Sequence, residues 1–318
     1  MYLLEEWIHQ IKRKWRMDMK ILVTGGTVFV SKYVAEYFVK KGEQVWVLNR
    51  NSRPQIEGVT LIEADRNRLS DKLKDDSFDV ILDINAYTAE DVTNLLDSGV
   101  TFGDYVLISS SAVYPEYGQQ PFTEESEVAE NQFWGQYGTD KIEAEEALLA
   151  RVPGAYILRP PYLYGKYNDV YREAFVFDCA EGNRKFYLPG DGSLKLQFFH
   201  VEDLCRVIEG LLTRKSAPGI FNVGNEQSIS IREWVELCYR IGGKEPEFVQ
   251  VDESLPWRRY FCFSNYEYYL DVTKQKKLIG DTGELEEGLR EAYDWYVEHR
   301  DEVDKRPYLS YIDENLSK

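Results

Sequence analysis

The chain has 318 residues, 43% hydrophobic and 14% aromatic, enough to bury a full core in one large domain or two. Its 55 acidic and 38 basic residues leave a formal net charge of −17, which repels phosphate backbones and anionic lipids unless a local basic patch gathers them. Nucleic acid is therefore not expected as a partner, and no apolar run is long enough to span a membrane.

Residues 1–18 would make an amphipathic helix, with Trp7, Ile8, Ile11 and Trp15 on one side and Lys12, Arg13, Lys14 and Arg16 opposite. The stretch lacks the apolar core and cleavage site of a signal peptide. It reads as an N-terminal extension ahead of a domain starting at Met19, a surface or partner anchor being the other reading.

The next segment, Lys20 to Ser31, says most. A short apolar strand, Ile21–Val23, runs into the glycine turn Thr24-Gly25-Gly26-Thr27, and an amphipathic helix follows over Phe29–Lys41. That order sets backbone N–H groups and a helix N-terminus beside whatever lies over the turn, and both favour an anion such as a dinucleotide pyrophosphate. A second strand, Gln44–Leu48, comes at the spacing of a βαβ unit.

Strand-like runs at Thr60–Glu63, Val80–Ile84, Tyr105–Ser109 and Ala155–Leu158 then alternate with helical patterns at Ala89–Leu96 and Gly135–Ala150. Near-continuous apolar strands alternating with helices predict an α/β fold with a doubly wound, Rossmann-like parallel sheet. Ligands collect at the carboxyl ends of such strands. After Tyr164 the pattern turns aromatic and rich in proline and glycine, as in Phe186–Gly192, which reads as a smaller C-terminal substrate lobe. Phe198–Leu212 and Gly219–Val223 again look like material of the sheet lobe, so the lobes interleave. The expected division is 19–165 for the dinucleotide-binding domain, with 198–224 returning to it, and 166–318 mainly for the substrate lobe.

Tyr137 and Lys141 stand four apart, on one face of the Gly135–Ala150 helix. A nearby ammonium stabilises phenolate, so this tyrosine is expected to titrate below about 10 and to take a hydroxyl proton while hydride leaves the same carbon. The spacing alone proves little among 23 tyrosines, since Tyr37/Lys41 and Tyr162/Lys166 share it. The first pair lies at the far end of its helix, and the second follows Pro161 and contains Gly165, which disfavours a helix. Ile108-Ser109-Ser110-Ser111 sets hydroxyls at the carboxyl end of the preceding strand. Cys179, Cys205, Cys238 and Cys262 stand apart inside apolar stretches, as buried thiols of a reducing cytoplasm would. Three scattered histidines suggest no metal site.

Taken together, Thr24-Gly25-Gly26-Thr27, Ser109-Ser110-x-x-Val113-Tyr114, Tyr137-Gly-x-x-Lys141-x-x-Ala144-Glu145, Leu158-Arg-Pro-x-x-x-Tyr164-Gly165, Phe198-x-His-Val-x-Asp203 and Phe221-Asn-Val-Gly224 resemble the extended short-chain dehydrogenase/reductases of the NAD-dependent epimerase/dehydratase type. The match covers roughly Met19 to Tyr296. It implies Tyr137 as general acid/base, Lys141 as its ribose-binding partner, and Ser110 on the substrate hydroxyl, with Ser111 a near alternative. It implies cofactor contacts at Gly25, Gly26, Thr27, Phe29, Val30, Asn49, Arg50, Asp65 (to adenine), Ala86 and Pro160. The implied substrate is a sugar, a nucleotide sugar above all, with NAD or NADP as cofactor and a homodimer allowed.

Three departures bear on this. The glycine pattern expects Gly at 28 and 31, where this chain has Val28 and Ser31; a subset resembling the chloroplast stem-loop RNA-binding proteins tolerates a large residue at the first. Phe78–Tyr87 and Arg172–Asp178 look similar to that subset, so an RNA-binding relative that keeps the fold is the alternative reading. The second strand ends in Asn49-Arg50 rather than an acidic residue, so Asn49 could hold a ribose hydroxyl while Arg50 or Arg53 paired with a 2′-phosphate. Leu196-Gln197 replace the Arg-Asp that binds diphosphate in nucleotide-sugar enzymes, and Trp257-Arg258-Arg259 could supply that charge.

Overall fold

The structure, a computed structural model, describes residues 18–214 and 216–317. The expected N-terminal helix falls on residues outside these. Strands β1 (Lys20–Thr24), β2 (Gln44–Asn49), β3 (Val59–Glu63), β4 (Ser77–Asp83), β5 (Thr101–Ile108) and β6 (Tyr156–Arg159) lie close to where the apolar runs predict them. So do helices α1 (Phe29–Lys40), α2 (Ala89–Asp97) and α3 (Gln136–Arg151). With β11 (Gly219–Asn222) the strands form one seven-stranded parallel sheet, in the order β11-β6-β5-β4-β1-β2-β3. The order reverses between β1 and β4, and a doubly wound sheet opens its ligand crevice at that point.

The pleat sorts alternate residues to opposite faces. Ile21, Val23, Val80, Leu82, Val106 and Ile108 join one buried layer with α1 and with α5 (Val201–Arg214). Leu22, Ile81, Tyr105 and Leu107 join the other with α2 and α3. Each such side chain contributes roughly 1.5–3 kcal/mol by leaving water, so a register slip of one residue would be prohibitive.

Pro160 and Pro161 end β6, because proline has no N–H to give a ladder. The chain therefore leaves the main sheet, and β7 (Tyr162–Tyr164) pairs instead with β10 (Phe198–His200). Strand β10 thus stands outside the main sheet, but its Phe199 and helix α5 pack in the buried layer on one face of that sheet, and β11 joins its edge. The second lobe has its own core, built on α4 (Glu173–Glu181), α6 (Ile231–Ile241), α8 (Leu285–Glu298) and α9 (Tyr308–Asn315). Aromatic rings fill it, with Phe198 stacked on Trp234 at 5.4 Å and Phe133 on Tyr266 at 4.7 Å. All four cysteines are buried free thiols. Among the described residues no helix is long and apolar enough to cross a membrane, and no cluster of three or more His, Cys, Asp or Glu could hold a metal.

Candidate active site

The glycine turn leaves β1 through two residues in the left-handed region, Gly25 at φ +91° and Gly26 at φ +95°. Gly26 lies against β2, where an added Cβ would come 2.5 Å from Val47 Cγ1. Helix α1 then starts at Phe29, itself at φ +32°, with no side-chain cap on Val28 and no acidic residue in its first turn. Its first N–H groups thus keep their capacity for an anion. Ser31, where a third glycine was expected, is buried and donates its hydroxyl to the Val28 carbonyl at 2.9 Å. A Cβ on Gly25 would meet that hydroxyl at 2.7 Å, so the missing bulk of one residue accommodates the other.

A cleft of about 700 Å³ opens over this turn, within the usual size of cofactor sites. Gly25, Thr27, Phe29, Val30, Asn49, Arg50 and Asp65 line it, joined from the second lobe by Asp169 and Val170. Gly26 and Ala86 do not; the former packs on Val47, and the latter is buried with its carbonyl turned to Lys141. Asn49 is heavily committed inside the protein. Its amide nitrogen donates to the Gly25 carbonyl at 2.7 Å and to Gln55 at 3.0 Å, and its oxygen accepts from the Asn51 N–H at 2.8 Å. It straps the glycine turn to the loop after β2 rather than standing free to read a ribose. Arg50 and Arg53 lie exposed on the rim, and among the described residues neither forms an ion pair.

Beneath the cleft floor lies a cluster the sequence reading did not find. Asp83, at the end of β4 and fully buried, accepts from Thr24 at 2.7 Å, from Tyr105 at 2.6 Å and from both Arg66 terminal nitrogens at 3.0 Å. Burial alone would raise its pKa, but the guanidinium and these hydrogen bonds outweigh it and hold the carboxyl below its usual range. Arg66 also donates to Asn85 at 2.7 Å and to the Asp91 carbonyl at 2.8 Å and pairs with the Asp91 carboxylate at 3.4 Å, tying the ends of β1 and β4 to the start of α2. The only hint in sequence was an acidic residue ending an apolar strand.

A smaller cleft of about 200 Å³ continues from the first past Phe29, Val30, Ile84 and Tyr87. Ser110, Tyr137, Lys141 and Pro160 line it together. Ser110 arrives at the end of β5 and caps a short 3-10 turn through the Ala112 N–H at 3.1 Å. Ser111 is buried instead and donates to the Tyr268 hydroxyl, 3.3 Å away. The end of β5 is anchored from below: Ser109 donates to Glu145, which also accepts from Arg159 Nε at 3.0 Å. Arg159 donates in turn to Tyr114 at 2.9 Å, and Tyr114 to Asn222 at 2.7 Å. Breaking such a buried pair leaves an uncompensated charge, so this network holds the serine turn in place.

Lys141 is buried, and its ammonium donates to the Ala86 carbonyl at 2.7 Å and to the Ile108 carbonyl at 2.9 Å. One of its three protons remains for a ligand. Burial pulls its pKa down to about 8, against the opposing pull of Asp83 and Glu145. Tyr137 differs from expectation. Although the residue is 39% exposed, partial withdrawal from water holds its pKa above the usual phenol value and Tyr87 adds to the rise, while Ser110 and Arg172 work the other way. The ammonium, 6.0 Å from the ring centroid and turned to its two carbonyls, does not pull the phenol down. Tyr87 lies over both groups, 6.2 Å from the Tyr137 ring and 4.9 Å from the Lys141 nitrogen.

The two competing Tyr-x-x-x-Lys pairs lie elsewhere. Tyr37 and Lys41 both bind Glu209, joining α1 to α5, and Tyr162 belongs to β7. Leu196 and Gln197 are buried, the latter bonded to Asn225 and Leu270. Arg258 and Arg259 line a separate cleft with Arg306, Tyr308 and Tyr311, and touch neither of the clefts above.

Known proteins resemble this chain over most of its length. The chain is 28% identical over 302 residues to the chloroplast stem-loop binding protein of 41 kDa b of Arabidopsis thaliana, covering 87% of this chain and 79% of that one. It is 25% identical over 332 residues to a dTDP-4-dehydro-6-deoxy-D-allose reductase of a Streptomyces species, covering 88% and 97%. Its fold matches that of UDP-glucuronic acid 4-epimerase from Bacillus cereus, solved with UDP-glucuronic acid and NAD, at a TM-score of 0.71 and 20% identity over 88% and 99% of the two chains. The model of the NAD dependent epimerase/dehydratase family matches residues 21–224. Since those residues run from β1, through the glycine turn and the Tyr137 helix, to just beyond β11, the chain belongs to the NAD dependent epimerase/dehydratase family.

Proposed function

We propose that this chain binds NAD or NADP across the carboxyl edge of its sheet and acts on a hydroxyl-bearing carbon of a sugar, a nucleotide sugar above all, with Tyr137 as its acid/base. The observation that carries the reading is the meeting of Ser110, Tyr137 and Lys141 in one cleft that continues into the larger cleft over the glycine turn. The residues fit a dinucleotide: an uncapped helix N-terminus without acidic side chains stands at the glycine turn that lines the larger cleft, where a pyrophosphate would find free N–H groups. When bound, nicotinamide supplies the hydride acceptor and donor.

Each side chain then has a task. Ser110 donates a hydrogen bond to the substrate oxygen. Tyr137 takes the proton from that oxygen as the carbon gives up hydride, and returns it in the reverse step. Positive charge entering the cleft brings the phenolate within reach, since the phenol rests protonated in the free protein. Lys141 offers its remaining proton to the nicotinamide ribose. Epimerisation and dehydration begin with this step and reduction runs it in reverse, so the proposal is made at that level.

An RNA-binding relative is the second reading, supported by the likeness to the stem-loop binding protein. The net charge of −17 weighs against it. The test is mass spectrometry of small molecules released from the purified protein, followed by assay of nucleotide sugars with either cofactor. Retained NAD or NADP and a product that disappears in Tyr137→Phe support the enzyme; no cofactor binding together with tight RNA binding would overturn it.

A further inference from the structure

Phe29, Val30, Ile84, Tyr87 and Val170 line both clefts, so they frame the neck through which the larger cleft passes into the smaller. Phe29 and Ile84 are buried there, whereas Tyr87 is 53% exposed. Its backbone is pinned on both sides. The Tyr87 N–H donates to Asp91 at 2.8 Å, beside the capping box of α2, and the preceding Ala86 carbonyl accepts from the Lys141 ammonium at 2.7 Å. The side chain is not pinned: among the described residues its hydroxyl makes no hydrogen bond. Partial burial first, then the charges of Asp169 and Asp91, keep that phenol above its usual value, so the ring at the neck stays neutral.

The ring covers the group that a ligand would need. Lys141 has one proton left after its two carbonyls, and its nitrogen lies 4.9 Å from the centroid of the Tyr87 ring. Burial already disfavours the charge of Lys141, and an electron-rich ring face compensates an ammonium in such a place. Lys141 is only 3% exposed although it lines the smaller cleft. A ligand oxygen that takes the third proton therefore has to replace the ring face. An exposed side chain changes rotamer within nanoseconds, so this contact sets affinity rather than the speed of binding.

We propose that Tyr87 is a gate at the neck: its ring shields the Lys141 ammonium in the free protein, and a ligand reaches that ammonium only after the ring turns away. On the proposed dinucleotide reading, Tyr87 yields its place to the nicotinamide half of the cofactor. That second statement rests on the dinucleotide reading; the shielding of Lys141 stands without it.

Acetic anhydride tests the shielding, because it transfers an acetyl group only to a neutral amine, with loss of acetate, and needs no cofactor. Acetylation of Lys141 relative to the exposed Lys74, read by peptide mass spectrometry from pH 7 to pH 10, separates the limiting rate of the amine from its pKa. Lys141 should react slowly in wild type and in Tyr87→Phe, which keeps the ring. In Tyr87→Ala its limiting rate should rise about 2- to 30-fold, the range that a cation–π contact spans. Calorimetry with nicotinamide mononucleotide and with AMP extends the test to the cofactor. Tyr87→Ala should bind the mononucleotide tighter by a similar factor and AMP as wild type does, since AMP has no nicotinamide half. Equal limiting rates at Lys141 in wild type and Tyr87→Ala overturn the proposal. So does weaker mononucleotide binding in Tyr87→Ala, which would make the ring a platform for the ligand. Should none of the proteins bind the mononucleotide, AMP or NAD, the dinucleotide reading alone falls, because the acetylation rates still decide whether Tyr87 shields Lys141.

Discussion

Replacing Lys141 by methionine should change how stability depends on pH more than it changes stability at neutrality. In the folded protein burial lowers the ammonium pKa from 10.5 to about 8. Between these values the unfolded chain holds the proton and the folded one does not, so folding stability rises with pH across that window and the penalty is fully present below about pH 8. At 1.36 kcal/mol per unit, the wild type should gain about 2–3 kcal/mol between pH 7 and pH 10 from this group. At pH 7, Lys141→Met removes that penalty but leaves the Ala86 and Ile108 carbonyls without their donor, a cost of roughly 1–3 kcal/mol each. The two effects oppose one another, and the net change at pH 7 should be small. Urea unfolding of both proteins at intervals from pH 7 to pH 10 separates them, because other titrations cancel in the difference. The stability of Lys141→Met relative to wild type should fall steadily across the range. Parallel curves would show that Lys141 is not buried as a charge, and would refute both its pKa and its place on the two carbonyls.

Tyr137→Phe should lower turnover of any accepted substrate by roughly 10²–10⁴ with little change in thermal midpoint; full activity in that variant would displace the assignment. Asn49→Asp should weaken NAD and NADP together and cost roughly 1–3 kcal/mol, since a carboxylate oxygen would face the Gly25 carbonyl in place of an N–H; selective loss of NADP at unchanged stability would instead make Asn49 a ribose reader. Asp83→Asn should cost roughly 1–3 kcal/mol at pH 7, because the Arg66 guanidinium loses one of its two carboxylates and keeps Asp91 at 3.4 Å. Because the Asp83 pKa is depressed, the stability it contributes is present above the ordinary carboxylate range and is lost as pH falls from that range down through its lowered folded value; acid titration of the variant by circular dichroism should show a shallower loss than wild type.

The order of strands and helices as far as β6, the glycine turn and the placing of Tyr137 and Lys141 at the sheet's carboxyl edge, apart from the other two such pairs, were legible in the sequence. Each depends on short-range regularities: apolar runs, helical spacing, and the position of a pair just after a strand. What those residues bond to was not legible. Asn49 looked free to meet a ribose, yet its amide is taken up by a turn 24 positions away. Lys141 looked like the group that acidifies Tyr137, yet it spends two donors on carbonyls from β5 and from the segment after β4. Arg66 and Asp83, without a pattern to join them, form the cleft floor. Arg258 and Arg259, offered for a diphosphate, lie in another cleft. Local sequence determines which elements form because propensity and periodicity act within a few residues. The partners of buried polar and charged groups are decided only when the folded chain removes water from them, since each must then find its hydrogen bonds among whatever distant segments the topology places nearby.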